Sequence, residues 1–207
     1  MRKALIFPGI GSTALMYHRL AKTNPNIQLC DWPDWQGASG LAELAKRCIE
    51  HYKIDEKTIV GGSSLGGMIS SEIAKHAHCR GLILIGSCLD FSCIPIRYLT
   101  STGAWLIKDR WLKSLGKNLP QNLVNRSSLL TDPAFVRWAL HSMHEWPGVS
   151  RDEIQLIRSI HGLWDATIPY AKISADQVVV TGGHFIAITH YKAVSNFIDE
   201  SLDSFES

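Results

Sequence analysis

The chain has 207 residues, 45% of them hydrophobic and 19% charged, with a formal net charge of +2. That length and composition fit one globular domain with a real core. The mild charge, with no Lys/Arg run interleaved with aromatics, argues against a nucleic-acid partner, and no apolar stretch reaches the ~18–20 residues of a membrane span.

Apolar runs then arrive at a regular beat, with helical patterns between them. Ala4–Phe7 reads as a short buried strand stopped by Pro8-Gly9, and its apolar part is too short for the core of a signal peptide. Thr13 to Lys22 carries helical spacing and ends at Asn24-Pro25. Ile27–Cys30 is a second strand. Ser39 is placed to cap a helix running to about His51, with Leu41, Leu44, Ala45, Cys48 and Ile49 on one face. Thr58–Gly61 is a third strand, Ser64 to about His78 a helix, and Gly81–Gly86 a fourth strand apolar enough to be covered on both sides.

The beat breaks over residues 90–150, which contain Trp105, Trp111, Trp138 and Trp146. Asp132-Pro133 opens a helix there through His144, halted by Pro147-Gly148, and the whole segment reads as a helical insertion. The beat resumes with strands at Ile154–Ile160 and Gln177–Thr181, then a helix from about Phe185 to Leu202. Strands alternating with helices imply an α/β fold, a parallel sheet with right-handed crossovers and helices on both faces.

The five cysteines (Cys30, Cys48, Cys79, Cys88, Cys93) are odd in number and lack C-x-x-C spacing. They read as reduced thiols of a cytoplasmic protein. His141, His144 and Glu145 lie close together, but no third ligand has suitable spacing, so an exposed helix face is the better reading and no metal is expected.

The chemistry concentrates at Gly62-Ser63-Ser64-Leu65-Gly66, a G-x-S-x-G motif between a β-branched run and a helical one. In that context a sharp strand-to-helix turn exposes the central hydroxyl as a nucleophile. A turn serine is the competing reading. A serine nucleophile needs a base, and the base an orienting acid. In a parallel sheet such groups collect past the C-terminal strand ends. Asp165 falls in the loop after the fifth strand and His184 in the loop after the sixth, while Asp176 lies before the last strand, on the wrong edge.

The order Ser64, Asp165, His184 and the wording around each residue resemble the α/β-hydrolase superfamily, in the manner of a compact serine esterase. Gly62-Ser63-Ser64-Leu65-Gly66 resembles its nucleophile elbow. His161-Gly162-Leu163-Trp164-Asp165-Ala166-Thr167-Ile168-Pro169 is similar to its H-G-x-x-D-x-x-x-P loop, and Gly183-His184-Phe185 to its G-H-F segment. The resemblance covers nearly the whole chain. It implies a three-layer sandwich around a compact sheet of about six strands, starting at what would be the third strand of the full eight-stranded fold. Residues 90–150 would be a lid within a single domain 1–207.

The resemblance further implies Ser64, Asp165 and His184 as catalytic residues and an oxyanion hole from the backbone N–H groups of Leu65 and Ile10, with Gly11 as fallback. Two departures stand out. Pro8 and Ser63 occupy positions where the superfamily often has histidine, which blurs the subfamily. The expected activity is hydrolysis of small to medium, partly apolar carboxylic esters through an acyl-enzyme, with no cofactor. Trp105, Trp138 and Trp146 are candidates to line the substrate pocket, and His161 to brace the Asp165 loop. A thioesterase, amidase or carbon–carbon bond hydrolase on the same residues is the alternative, and a non-catalytic ligand-binding protein a further one. The partner is a small ester-like molecule; oligomeric state is not legible.

Overall fold

The computed structural model describes residues 3–95 and 132–206. Six strands, β1 (Ala4–Phe7), β2 (Ile27–Leu29), β3 (Ile59–Ser63), β4 (Gly81–Ile85), β5 (Ile157–Gly162) and β6 (Gln177–Val179), form one sheet in the order β2-β1-β3-β4-β5-β6. Every neighbouring pair is parallel.

Alternation along the central strands sorts their side chains into two cores, as a period of two requires. Leu5, Phe7, Val60, Leu82 and Leu84 point to one face. There they meet Leu41, Leu44, Ala45 and Cys48 of α2 (Leu41–Tyr52) and Met68, Ile69 and Ile73 of α3 (Leu65–Ala77). Ala4, Ile6, Ile59, Ile83 and Ile85 point to the other face. They pack on Leu20 of α1 (His18–Thr23), Ile186 of α5 (Ile186–Thr189) and Val194, Phe197 and Ile198 of α6 (Tyr191–Glu206). The result is helix, sheet, helix in three layers.

The chain leaves β1 toward one edge of the sheet, returns to place β3 on the other side of β1, and continues outward. The reversal opens a crevice past the C-terminal ends of β1 and β3, where ligands of open α/β sheets bind.

The expected elements are present with four local differences. The first helix is split: Ala14–Tyr17 is a 3₁₀ turn and only His18–Thr23 is α-helical. Tertiary bonds pin that turn, with the Ala14 N–H on Asp31 Oδ1 at 2.8 Å and the Tyr17 hydroxyl accepting from the Gly9 N–H at 3.2 Å. Ser39 does not cap α2; Gly40 does, and the Ser39 N–H and hydroxyl both donate to Glu43 Oε2 instead. The fifth strand starts at Ile157 and not Ile154, because Ser150 and Glu153 close a capping box around a 3₁₀ turn at Arg151–Glu153. The last helix breaks at His190, which lies outside helical geometry between α5 and α6.

Within 90–150, α4 spans Pro133–Glu145, with the Asp132 carboxylate accepting from the Ala134 N–H at 2.9 Å as the N-cap. Trp105 and Trp111, and the larger part of the expected insertion, lie outside the described residues. The ends of the segment meet at the tip of β4, where the Val149 N–H donates to the Leu89 carbonyl at 2.9 Å.

Candidate active site

β3 ends at Ser63, and the chain turns sharply into α3 at Ser64, whose backbone sits at φ 53°, ψ −121°. That is left-handed territory for a residue with a side chain, a strain of order 1–3 kcal/mol that surrounding bonds must hold. They do so. The Ser64 N–H donates to the Ile85 carbonyl at 3.2 Å, and the Ser64 carbonyl accepts from Gly67 N–H at 2.9 Å and from the Ser87 hydroxyl at 2.7 Å. Gly62 and Gly66 make the turn sterically feasible: a Cβ on Gly62 would stand 2.3 Å from the Gly66 carbonyl carbon, and one on Gly66 2.3 Å from the Phe7 carbonyl oxygen.

Beyond the tips of β5 and β6, two loops bring their polar residues to the same place. The Trp164 N–H donates to the Gly182 carbonyl at 2.8 Å and ties the loops side by side. His184 Nε2 lies 3.0 Å from Ser64 Oγ, and His184 Nδ1 lies 2.8 Å from Asp165 Oδ2. These three residues are 120 and 19 positions apart along the chain, yet form one continuous line.

Asp165 is fully enclosed. Its Oδ1 accepts from the N–H groups of Thr167 and Ile168, both at 2.8 Å, and its Oδ2 lies 3.3 Å from His161 Nε2. Burial alone would raise this carboxyl, but donors from His161, His184 and the Ile168 backbone outweigh it and hold the group below the usual carboxylate range. Asp165 is therefore a carboxylate at neutral pH. It fixes the His184 tautomer with the proton on Nδ1, so that Nε2 is left to accept from Ser64. His161, 1% exposed, also reaches the Ile168 carbonyl at 2.7 Å from Nε2, bridging both ends of the Asp165 loop. Asp176 sits at the opposite end of β5, with its Oδ2 2.6 Å from the Ser159 nitrogen.

The loop after β1 lies over the nucleophile: a Cβ on Gly9 would stand 3.4 Å from Ser64 Cβ. Ile10 follows in that loop, and Leu65 is the first residue of α3. First-turn N–H groups have no intrahelical acceptor, and the positive end of the helix dipole favours an anion there.

Sequence reasoning missed two features. Ser87, at the end of β4, donates to the Ser64 carbonyl. Trp164 and Phe185, 73% and 62% exposed, flank Asp165 and His184 on the open side, with the Phe185 ring edge-on to His184 at 5.5 Å. Position past a strand end was the available signal for Ser87. For the two aromatics the signal was adjacency in sequence to the acid and the base.

The expected pocket tryptophans fare differently. Trp138 donates its indole N–H to the Ala38 carbonyl at 2.8 Å and stacks with Phe135 and Trp35. Trp146 is buried and donates to Glu72 Oε1 at 2.6 Å, in the middle of α3. Trp146 is thus placed as a strut between the end of α4 and α3, and not toward the crevice. Replacing it with phenylalanine strands the buried Glu72 carboxyl; the expected cost is about 1–3 kcal/mol, a Tm fall of roughly 3–10 °C at this size. Calorimetry beside an ester-hydrolysis assay checks this. A stable W146F with altered substrate preference returns Trp146 to the pocket.

No protein-family model matches the sequence, and no curated protein matches it. Solved structures do resemble it. A thermophilic esterase from Thermogutta terrifontis aligns over 100% of this chain and 91% of its own at 18% identity and TM-score 0.70. The N-acyl homoserine lactonase AidH, complexed with N-butanoyl homoserine, aligns over 99% and 90% at 16% identity and TM-score 0.78. The type II thioesterase BorB from the borrelidin biosynthetic cluster aligns over 97% and 92% at 18% identity and TM-score 0.71. The chain has the α/β-hydrolase fold. Within that fold, Ser64 stands at the strand–helix turn after β3, and Asp165 and His184 follow β5 and β6. No helix among the described residues is long and apolar enough to cross a membrane. No group of three His, Cys, Asp or Glu among them is arranged to hold a metal; His144 Nδ1 pairs with its neighbour Glu145 at 2.9 Å.

Proposed function

We propose that this chain is a serine hydrolase of small to medium carboxylic esters with a partly apolar acyl group. One observation carries the reading: Ser64 Oγ lies 3.0 Å from His184 Nε2, while the other ring nitrogen is held 2.8 Å from the buried Asp165 carboxylate. His184 takes the Ser64 proton as the hydroxyl oxygen attacks the acyl carbon. The tetrahedral oxyanion that forms accepts from the Leu65 and Ile10 N–H groups. His184 then returns the proton to the departing alcohol, leaving an acyl-Ser64 ester. Water, deprotonated by the same imidazole, reverses the sequence and frees the acid. Asp165 stays charged throughout and stabilises the imidazolium. Each oxyanion donor contributes about 2.7–4 kcal/mol of barrier lowering on the scale of such groups elsewhere.

Residues 90–150 are proposed as a lid on a single domain. The aromatic contacts of α4 with Trp32 and Trp35, which follow β2 on the active edge, support an apolar acyl environment. The five unpaired thiols support a reducing, cytoplasmic setting. An esterase, a lactonase and a thioesterase among the similar structures share acyl transfer, so the leaving group is open to direct test. We expect p-nitrophenyl esters to be hydrolysed with a kcat/KM that rises with acyl length to a medium optimum. Acyl thioesters and lactones should turn over less well. A preference for highly charged acyl groups would refute the apolar reading. Failure of a fluorophosphonate to label the folded protein would refute the hydrolase reading itself.

A further inference from the structure

Cys88 and Cys93 flank the start of the segment that leaves the sheet after β4, and neither has a part in the chemistry above. Cys88 is fully buried next to Ser87, the residue that holds the Ser64 carbonyl. The chain then turns back on itself through a short 3₁₀ helix at Phe91–Cys93, with Asp90 Oδ1 accepting from the Ser92 N–H at 2.7 Å and the Cys93 N–H donating to the Asp90 carbonyl at 3.3 Å. The turn sets the two sulfurs in hydrogen-bond contact, with the Cys88 S–H aimed at Cys93 Sγ. Cys93 is half-exposed, and its sulfur lies 3.6 Å from the Lys172 carbonyl in the loop that follows Asp165. The Lys172 ammonium reaches the adjacent Ser92 carbonyl at 3.3 Å.

We propose that Cys93 and Cys88 are a reversible thiol–disulfide pair, Cys93 meeting the oxidant and Cys88 resolving it. An accessible thiolate beside a buried partner is the arrangement of thiols that oxidise reversibly. The Cys88 donor, with Lys172 and His161 nearby, lowers the Cys93 thiol to about 7 despite partial burial and the Asp90 charge. The other three cysteines are enclosed, and burial pushes Cys30 and Cys79 up to about 12.

The oxidant is a hydroperoxide, for which hydrogen peroxide serves. The Cys93 thiolate attacks one peroxide oxygen, the O–O bond breaks, and the hydroxide released takes a proton to become water. Cys93 is then a sulfenic acid. Cys88, losing its proton, attacks the Cys93 sulfur; the S–O bond breaks and a second water departs. Two thiols have become one disulfide and one peroxide two waters. Added thiol reverses the change by exchange.

The test uses the intact protein treated with hydrogen peroxide, then alkylated and mapped by mass spectrometry. Titratable thiols should fall from five to three, with one cross-link joining 88 to 93, and dithiothreitol should restore all five. Before oxidation, iodoacetamide should alkylate Cys93 at least about tenfold faster than Cys30, Cys48 or Cys79, with a midpoint near pH 7. In C88S, the sulfenic acid should persist on Cys93 and be trapped by dimedone; in C93S no thiol should be lost. An unchanged thiol count, a cross-link between any other pair, or Cys93 reacting no faster than the enclosed thiols would overturn the proposal. All of these readouts are independent of ester hydrolysis.

Discussion

Ser64→Ala is expected to lower ester kcat/KM by at least about 10⁴-fold and to abolish fluorophosphonate labelling, while the unfolding midpoint stays within a few degrees of the parent. The reason lies in how the proposed machinery divides the work. Without the hydroxyl, the oxyanion donors and the binding surface remain, and such remnants support only a small residue of the full rate. His184→Ala should cost about as much, and the double variant little more than either single, because nucleophile and base act as a unit. Asp165→Asn should retain labelling at a slower rate, since the amide still occupies the site but favours the wrong imidazole tautomer. Additive losses in the double variant would mean that the 3.0 Å contact between Ser64 and His184 is not used in the reaction.

The second large effect is on stability. Gly66→Ala should destabilise the protein by about 3 kcal/mol or more, a Tm loss of roughly 6–12 °C. The added methyl would meet the Phe7 and Pro8 carbonyl oxygens at 2.3 and 2.5 Å. Both belong to backbone at the end of β1, held in the sheet, so neither can swing away as a side-chain tip would. Gly40→Ala is the control: a Cβ there meets nothing within 4 Å and the residue is already extended, so the change should cost only a few tenths of a kcal/mol. Equal Tm values for G66A and the parent would show that α3 can slide away from β1. In that case the strained Ser64 turn would not be fixed by this contact.

Much of this architecture is legible in the sequence because each central strand is an apolar run covered on both sides, which needs no long-range knowledge to recognise. The positions of Ser64, Asp165 and His184 past strand ends follow from the same beat. What stayed hidden depends on partners far away in the chain. The break in the first helix is set by Asp31 and by the loop at Gly9. The place of Trp146 is set by Glu72, 74 residues earlier, and periodicity says nothing of such a partner. The cysteine pairing is local but unreadable, since six residues can bring two sulfurs together or apart depending on one short turn at Phe91–Cys93.

The Leu89–Val149 hydrogen bond at the tip of β4 makes the segment between them a closed loop with a single hydrogen-bonded neck. The entropic cost of closing such a loop rises only with the logarithm of its length, about 0.6 kcal/mol per doubling. Segments of very different size and sequence can therefore be mounted at that neck without disturbing the pairing of β4 with β5 on which Asp165 depends. Chemistry and selectivity are in this way separately heritable: the sheet edge carries the first, and the exchangeable module rooted at residues 89 and 149 carries the second.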